Sequence, residues 1–436
     1  MLGEKARWFG FWTLDGVRGG QVRKYFNQIQ KSYKHGTSIA ETEEKIRKLI
    51  AHAQATTDFY KDIDPETPLE KMPVVNKDTF RNHYEAFRSS MYRDAKDNRN
   101  MSTSGSTGTP LTMIQNKDKI NHNTAGAIFL SMAGGYYIGM KEAFIRVWVN
   151  NVKKGKLQLM MENLIMMDSS HMDDEAIEDM LQVIEKKKVQ VMVGYSSAFE
   201  QMSRYIERTG RSMAKIHMAA IIPISESMAP ILRKQLQNQF HCPVRAWYSN
   251  EENGIMGLQD AVEEGYHIDT ESYYYEILKM DSDEPAEEGE IGRIVITDLY
   301  NYAFPIIRYD NGDTAVARRL EKNGRYKLYL SELYGRRSDM IYDCYGKALT
   351  PYIITNNLWD VKGVKQFRFI QDGEREYTLL LNGDKEQMDL EDITGRICPY
   401  LGESASLKVK FVDEIPVLAS GKRKYIENRW KAGNKA

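Results

Sequence analysis

The sequence predicts an α/β protein in two parts: a large layered N-terminal domain over residues 1–338 that ends in a β-rich subdomain, and a small α+β domain over 339–436. Three observations predict it. Between 141 and 250, apolar runs at 143–149, 189–194 and 217–222 alternate with helix-like segments at 173–188, 196–209 and 226–239, as strands layered against helices do. From 265 to 334, the runs 273–278, 292–297 and 326–329 read as short strands between turns such as Asn311-Gly312 and Asn323-Gly324. Beyond 339, strand-like runs at 367–370, 377–381 and 407–412 flank a helical stretch near 385–401.

Ahead of the layered region, residues 21–61 carry spaced apolar positions among charges and read as a helical lead-in. Pro65, Pro68 and Pro73 break that pattern, and a second polar helical stretch runs on to Met101. The weakly charged segment 120–140 reads as a buried helix. At the N-terminus, Glu4, Lys5, Arg7 and Asp15 interrupt the apolar residues, so neither a signal peptide nor an integral membrane segment is expected. Trp8, Phe9, Phe11 and Trp12 have the chemistry to touch a membrane surface, but packing of this patch on the main domain is the expectation.

With 436 residues, 42% hydrophobic and 28% charged, the chain can bury one large core and a smaller one. Sixty basic against 61 acidic side chains leave no global field to draw it to nucleic acid or anionic lipid. The run Lys186-Lys187-Lys188 has no aromatic platform beside it and reads as a solvated helix end, so no nucleic-acid partner is expected. Cys242, Cys344 and Cys398 are odd in number and far apart, which argues against disulfides and thiolate metal sites and fits a reducing cytoplasm.

The most informative stretch is Ser102-Thr103-Ser104-Gly105-Ser106-Thr107-Gly108-Thr109-Pro110. Hydroxyls and exposed N–H groups there can donate to phosphate oxygens, and glycine allows the positive φ angles needed to wrap them. It is not a Walker loop, because the GxxxxGK[ST] spacing and its lysine are missing.

This run resembles the phosphate loop of adenylate-forming enzymes, and four further segments follow in that superfamily's order. Tyr248-Ser249-Asn250-Glu251-Glu252 resembles its Tyr-Gly-x-Thr/Ser-Glu segment, whose tyrosine lies near adenine and whose last residue is a Mg²⁺ ligand. Pro305-Ile306-Ile307-Arg308-Tyr309-Asp310-Asn311-Gly312-Asp313 resembles the segment whose final Asp holds the ribose hydroxyls. Gly335-Arg336-Arg337-Ser338-Asp339 resembles the interdomain hinge, and Pro416-Val417-Leu418-Ala419-Ser420-Gly421-Lys422 the loop bearing the catalytic lysine. Shorter matches point to the phenylacetate–CoA ligase and CapK-like branch: Gly194-Tyr195-Ser196-Ser197 resembles its Gly-Tyr-Pro-Ser, and Glu276 with Gly289-Glu290-Ile291-Gly292 its acidic strand and turn. The resemblance covers roughly 20–426.

By that resemblance the chain is an ATP-dependent ligase, and its small domain is mobile. It would join a carboxylic acid to AMP with Mg²⁺ and pass the acyl group to a thiol such as coenzyme A. Lys422 and Glu252 are the expected catalytic residues, with Glu252 or its rival Glu251 on the metal. Ser102 to Gly108, Ser225, Glu226, Tyr248, Ser249, Asn250, Glu251, Asp313 and Arg336 are assigned to the nucleotide, Tyr195 and Ser196 to the acid. Two other readings stand beside this one. In the first, the adenylate passes its acyl or aminoacyl group to an amino sugar or other acceptor of surface-polysaccharide synthesis, as an amide or ester, a carrier thiol being a further acceptor of the leading reading. In the second, the protein is a silent nucleotide-binding scaffold, suggested by Ser249, Glu251 and Ser338 where the family has other residues.

Overall fold

The computed structural model describes residues 2–64, 66–102, 111–148, 154–260, 265–359, 361–416, 418 and 423–430. Three helices lead in, α1 (Leu2–Val17), α2 (Gln21–His35) and α3 (Ile39–Thr56), with the two-residue strand β1 (Thr37–Ser38) before α3. Ser38 caps α3 by accepting the Glu41 N–H, and Ile46, Leu49, Ile50 and Ala53 recur on its buried side. The N-terminal aromatics divide. Trp12 is buried against Phe26 beneath the Arg23 guanidinium, and Phe11 packs beside it, whereas Phe9 stays exposed, contrary to the packed patch expected.

In place of one longer polar helix, two short ones follow, α4 (Lys77–Asn82) and α5 (Tyr84–Phe87). Asn76 and Thr79 close a capping box at the start of α4. Strands β2 (Arg99–Ser102) and β3 (Thr112–Gln115) pair antiparallel, and α6 (Lys117–Gly134) is the buried, weakly charged helix expected.

The layered region contains β4 (Glu142–Arg146), α7 (Lys156–Glu162), β5 (Leu164–Asp168), α8 (Asp174–Lys187), β6 (Val191–Tyr195), α9 (Ser196–Thr209), β7 (Ala220–Ile224) and α10 (Pro230–Phe240). Its four strands are parallel in the order β5-β4-β6-β7. The sequence conceals β5 because its apolar residues continue those of α7, and only Asn163 in the left-handed conformation separates the two. Gly194 is required where β6 meets β4, since a Cβ there would lie 2.6 Å from the Ile145 carbonyl oxygen. From β4 the chain steps to one side of the sheet, and from β6 to the other, so the topological reversal falls between the carboxyl ends of β4 and β6.

Strands β8 (Trp247–Asn250), β9 (Gly254–Gln259), β10 (Tyr266–Ile268), β11 (Tyr273–Leu278), β12 (Gly292–Asp298), β13 (Tyr309–Lys322) and β14 (Arg325–Arg336) join β1 in an eight-stranded antiparallel sheet. Asn323-Gly324 turns the β13–β14 hairpin with both residues at positive φ, as a two-residue loop of the I′ type requires. Asn311-Gly312, expected as another turn, instead lies inside β13. Asp310 faces Val295 and Thr314 faces Arg293, so the three residues between them bulge out of register and the strand continues.

The remaining residues form β15 (Ile341–Tyr342), β16 (Ala348–Leu349), α11 (Pro351–Leu358), β17 (Val364–Gln371), β18 (Glu376–Gly383), α12 (Leu390–Leu401), β19 (Ser406–Phe411) and β20 (Ile426–Asn428). A four-stranded sheet, β19-β18-β17-β20, packs with α11 and α12 around a cluster of its own that includes Ile354, Phe369, Leu379 and Ile397. Trp359 is buried in the core of the layered region instead.

One buried ion pair ties the N-terminal segments together. Arg308 is fully buried, donates to both oxygens of Glu276, and satisfies its other amino group on the carbonyls of Glu70 and Met72. Burial raises the Glu276 pKa even with Arg308 opposing it, so desolvation outweighs the attraction. Such a pair is costly to break from one side and nearly neutral to replace from both. Arg308→Ala is expected to lose about 3–5 kcal/mol, read from the urea midpoint, and an Arg308→Met, Glu276→Leu double variant to recover most of it.

Candidate functional site

The β13 bulge aims Asp313 into the molecule. Gly312 N–H donates to Asp310 Oδ1 and Asp313 N–H to Asn311 Oδ1, which holds the three residues in shape. Asp313 then accepts from the Tyr248 hydroxyl at 3.0 Å and lies 3.5 Å from Arg336 Nε, while Asn311 donates to the same hydroxyl. Tyr248 is on β8 and Asp313 on β13, four places apart in the strand order β13-β14-β10-β9-β8. A flat sheet would separate them by roughly 19 Å at 4.8 Å per strand, so this hydrogen bond requires the sheet to curl.

Glu252 sits in the turn between β8 and β9, buried. Lys77 at the start of α4 reaches its Oε1 at 3.0 Å, and the Tyr309 hydroxyl donates to the same oxygen at 3.3 Å. Both of these contacts fall on Oε1, and among the described residues Oε2 is left for a further partner. Among the described residues no group of three or more His, Cys, Asp or Glu is placed to hold a metal ion. The arrangement fits Mg²⁺, which is held by one or two carboxylates with phosphate and water completing its shell. Glu251 is exposed, and its charge acts on Tyr195. Asn250 shapes the turn by accepting the Asn253 N–H at 2.7 Å, and Ser249 follows a register shift in β8.

A second group gathers at the carboxyl end of the parallel sheet. Tyr195 ends β6, Ser196 opens α9, and Arg146 ends β4, so they flank the topological reversal, the place where open α/β sheets bind ligands. Burial raises the Tyr195 phenol's pKa, and Arg146, hydrogen-bonded to it, pulls the other way. Ser225 takes a left-handed φ of 66° after β7 and turns the chain so that Glu226 faces α9. Glu226 accepts the Ser197 N–H at 2.7 Å and the Ser197 hydroxyl at 3.1 Å, placing a carboxylate at the helix's positive end. It also accepts the Arg423 N–H at 3.0 Å. Tyr425 donates to Glu200 and Arg423 to Gln201, so the 423–425 segment rests on α9. Lys424 pairs with Asp339 at 2.9 Å.

Of the sequence-predicted residues, the structure brings Tyr248, Glu252, Asp313 and Arg336 into one cluster and Tyr195, Ser196 and Glu226 into another. Ser102 ends β2, bonded to Thr112. Thr103, Ser104, Gly105, Ser106, Thr107, Gly108 and Lys422 lie outside the described residues. Sequence reasoning missed Lys77, Tyr309, Asn311 and Arg146. Lys77 carries no local signal; Arg146 could have been found by applying the reversal rule to the strand order.

Residues 341–429 match the family model described as the CapK C-terminal domain. The chain is 20% identical to protein CapK of Staphylococcus aureus over 433 residues, covering 94% of this chain and 93% of that one. It is 23% identical to phenylacetate-coenzyme A ligase of Thermus thermophilus over 315 residues, 69% of this chain and 70% of that one. Among solved structures, 2-hydroxyisobutyryl-CoA ligase in its postadenylation state with 2-HIB-AMP overlays with a TM-score of 0.71 at 14% identity, covering 91% of each chain. The same ligase in its thioesterification state, with 2-HIB-AMP and CoA, overlays with a TM-score of 0.57 at 15% identity and 90% coverage of each.

The Asp313 carboxyl titrates late because burial raises its pKa, with Arg336 opposing. In the unfolded chain it ionises near 3.8, so its ionised form costs stability that grows as pH rises from there through the folded value, and is constant above it. Asp313→Asn is therefore expected to melt at or above the wild type at neutral pH, with the advantage vanishing as pH falls below the ordinary carboxylate range. A variant that loses stability relative to wild type as pH rises contradicts this.

Proposed function

We propose that this chain, which has the adenylate-forming fold and is related to CapK and phenylacetate–coenzyme A ligase, activates a carboxylic acid with ATP and passes the acyl group to a thiol such as coenzyme A. The observation that carries the reading is convergence. Tyr248, Glu252, Asp313 and Arg336 come from three separate segments: Asp313 bonds Tyr248 and pairs with Arg336, and the charge of Glu252 acts on both Asp313 and Arg336, the chemistry a nucleotide needs.

In this reading Asp313 accepts the ribose hydroxyls, and Arg336, oriented by Asp313 and by the Asn311 carbonyl, donates to ribose or phosphate oxygens. The 102–110 loop wraps the phosphates. Mg²⁺ held at Glu252 would neutralise phosphate charge, while Lys77 and Tyr309 fix the carboxylate that receives it. The acid lies at the reversal between β4 and β6, where Arg146 supplies a cation for its carboxylate and Tyr195 and Ser196 form the wall. A carboxylate oxygen attacks the α-phosphorus, pyrophosphate leaves, and Lys422 offsets the charge on the reacting oxygens.

The small domain, 339–436, turns about Ser338-Asp339 between the two half-reactions. Two observations support this. The 423–425 segment adjoining Lys422 docks on Glu226 and α9, beside Tyr195 and Ser196, and the chain overlays more closely on the postadenylation than on the thioesterification state of the same ligase. Turning must break the Arg423–Glu226 and Tyr425–Glu200 contacts.

Pyrophosphate release from ATP, measured across aromatic, hydroxy and amino acids with and without coenzyme A, tests the reading. One acid is expected to trigger release, and coenzyme A to stimulate it; release without thiol dependence would move the acceptor to an amine. A cation about 4 Å from the reacting charge at an effective dielectric of about 20 contributes roughly 4 kcal/mol, so Lys422→Ala is expected to slow adenylation by up to about a thousandfold. It is expected to spare transfer from a preformed acyl-adenylate, and an equal loss in both steps contradicts the turning domain. Asp313→Ala is expected to weaken AMP binding by about ten- to a hundredfold, the size of a lost hydrogen bond to a charged group, as read by calorimetry.

A further inference from the structure

The exposed positions of α1 are unlike those of an ordinary surface helix, which carries charge on its outer face. They include Ala6, Phe9, Gly10, Leu14 and Val17, and only one of them is charged, Lys5. Phe9 is 62% exposed and Val17 81%. The neighbouring helix α7 repeats the pattern, with Leu157 67% and Met160 63% exposed, and the two are joined where the Arg7 guanidinium donates to the Met160 carbonyl.

Basic residues gather near the start of α1. The turn before β4 packs on the start of α1, since a Cβ at Gly139 would lie 2.5 Å from the Glu4 carbonyl oxygen. Two residues further on, Lys141 reaches the Lys187 carbonyl at 2.8 Å, which brings the exposed Lys186-Lys187-Lys188 run to this end of the molecule. Residues 1–36 hold seven Lys and Arg against two acids in a chain whose net charge is -1. Among the described residues, no helix is long and apolar enough to cross a membrane.

We propose that α1 and α7 form a peripheral docking face for an anionic phospholipid bilayer, with Phe9, Leu14, Val17 and Met160 entering the interface and the lysines meeting the headgroups. Apolar area and electrostatic attraction add in such binding. A second copy stacked here across a two-fold axis would bring these like-charged residues together, whereas anionic lipid compensates them.

The test is co-sedimentation of the full chain with vesicles of phosphatidylcholine, with and without phosphatidylglycerol. Binding is expected to require phosphatidylglycerol, to weaken with added salt, and to fall by about tenfold or more in a Phe9→Ser, Val17→Ser variant whose thermal melt is unchanged. Should that variant fold poorly, Val17→Ser alone at the helix end gives the same comparison. Failure to bind either vesicle overturns the proposal, as does equal binding by the variant. A wild-type dimer in light scattering that dissociates in the variant overturns it in favour of a second copy.

Discussion

The buried guanidinium of Arg308 is the constraint from which the candidate site follows. It faces Glu276 on one side and the carbonyls of Glu70 and Met72 on the other, so it pins the segment before α4 to the start of β13. Its own carbonyl accepts the Val75 N–H, and Val75 in turn accepts the Asp310 N–H. That clamp fixes Lys77 and Tyr309 relative to one another, and both converge on Glu252. An interior charge held this way contributes little net stability. What it contributes is placement of groups distant in sequence.

From the same clamp the chain runs directly into the Asn311-Gly312-Asp313 bulge. Asp310 is held by Arg293 and by Arg337, the residue after the β14 end, while its other oxygen takes the Gly312 N–H. The bulge and the approach to Ser338-Asp339 therefore share one anchor. Near Glu251, whose charge acts on Tyr195, α9 presents Glu200 and Gln201 to the 423–425 segment, Arg204 to the Trp359 carbonyl and its N-terminus to Glu226. A single helix thus borders the reversal of the parallel sheet and also receives the segment next to Lys422.

Much of this was legible in the sequence. The alternation of strands and helices, the Asn323-Gly324 hairpin and the compact C-terminal sheet all follow from local periodicity and turn chemistry. Asn311-Gly312 misled because a hairpin dipeptide and a strand bulge use the same positive φ, and only the partner strand distinguishes them. Strand β5 escaped because nothing but Asn163 separates its apolar residues from those of α7. In the site, Tyr248, Glu252, Asp313 and Arg336 were readable because each sits in a short recognisable string. Lys77 was not, since its role arises only from a contact 175 residues away, and Arg146 acquires meaning only from the strand order.

In the proposed reaction a carboxylate oxygen of the substrate attacks the α-phosphorus of ATP. Once the acid is known, its turnover with ¹⁸O in the carboxylate, followed by mass spectrometry of the nucleotide product, tests that bond directly. AMP carrying one labelled oxygen is expected after the acyl group is transferred. Label in inorganic phosphate with ADP as the product, or unlabelled AMP, would contradict it.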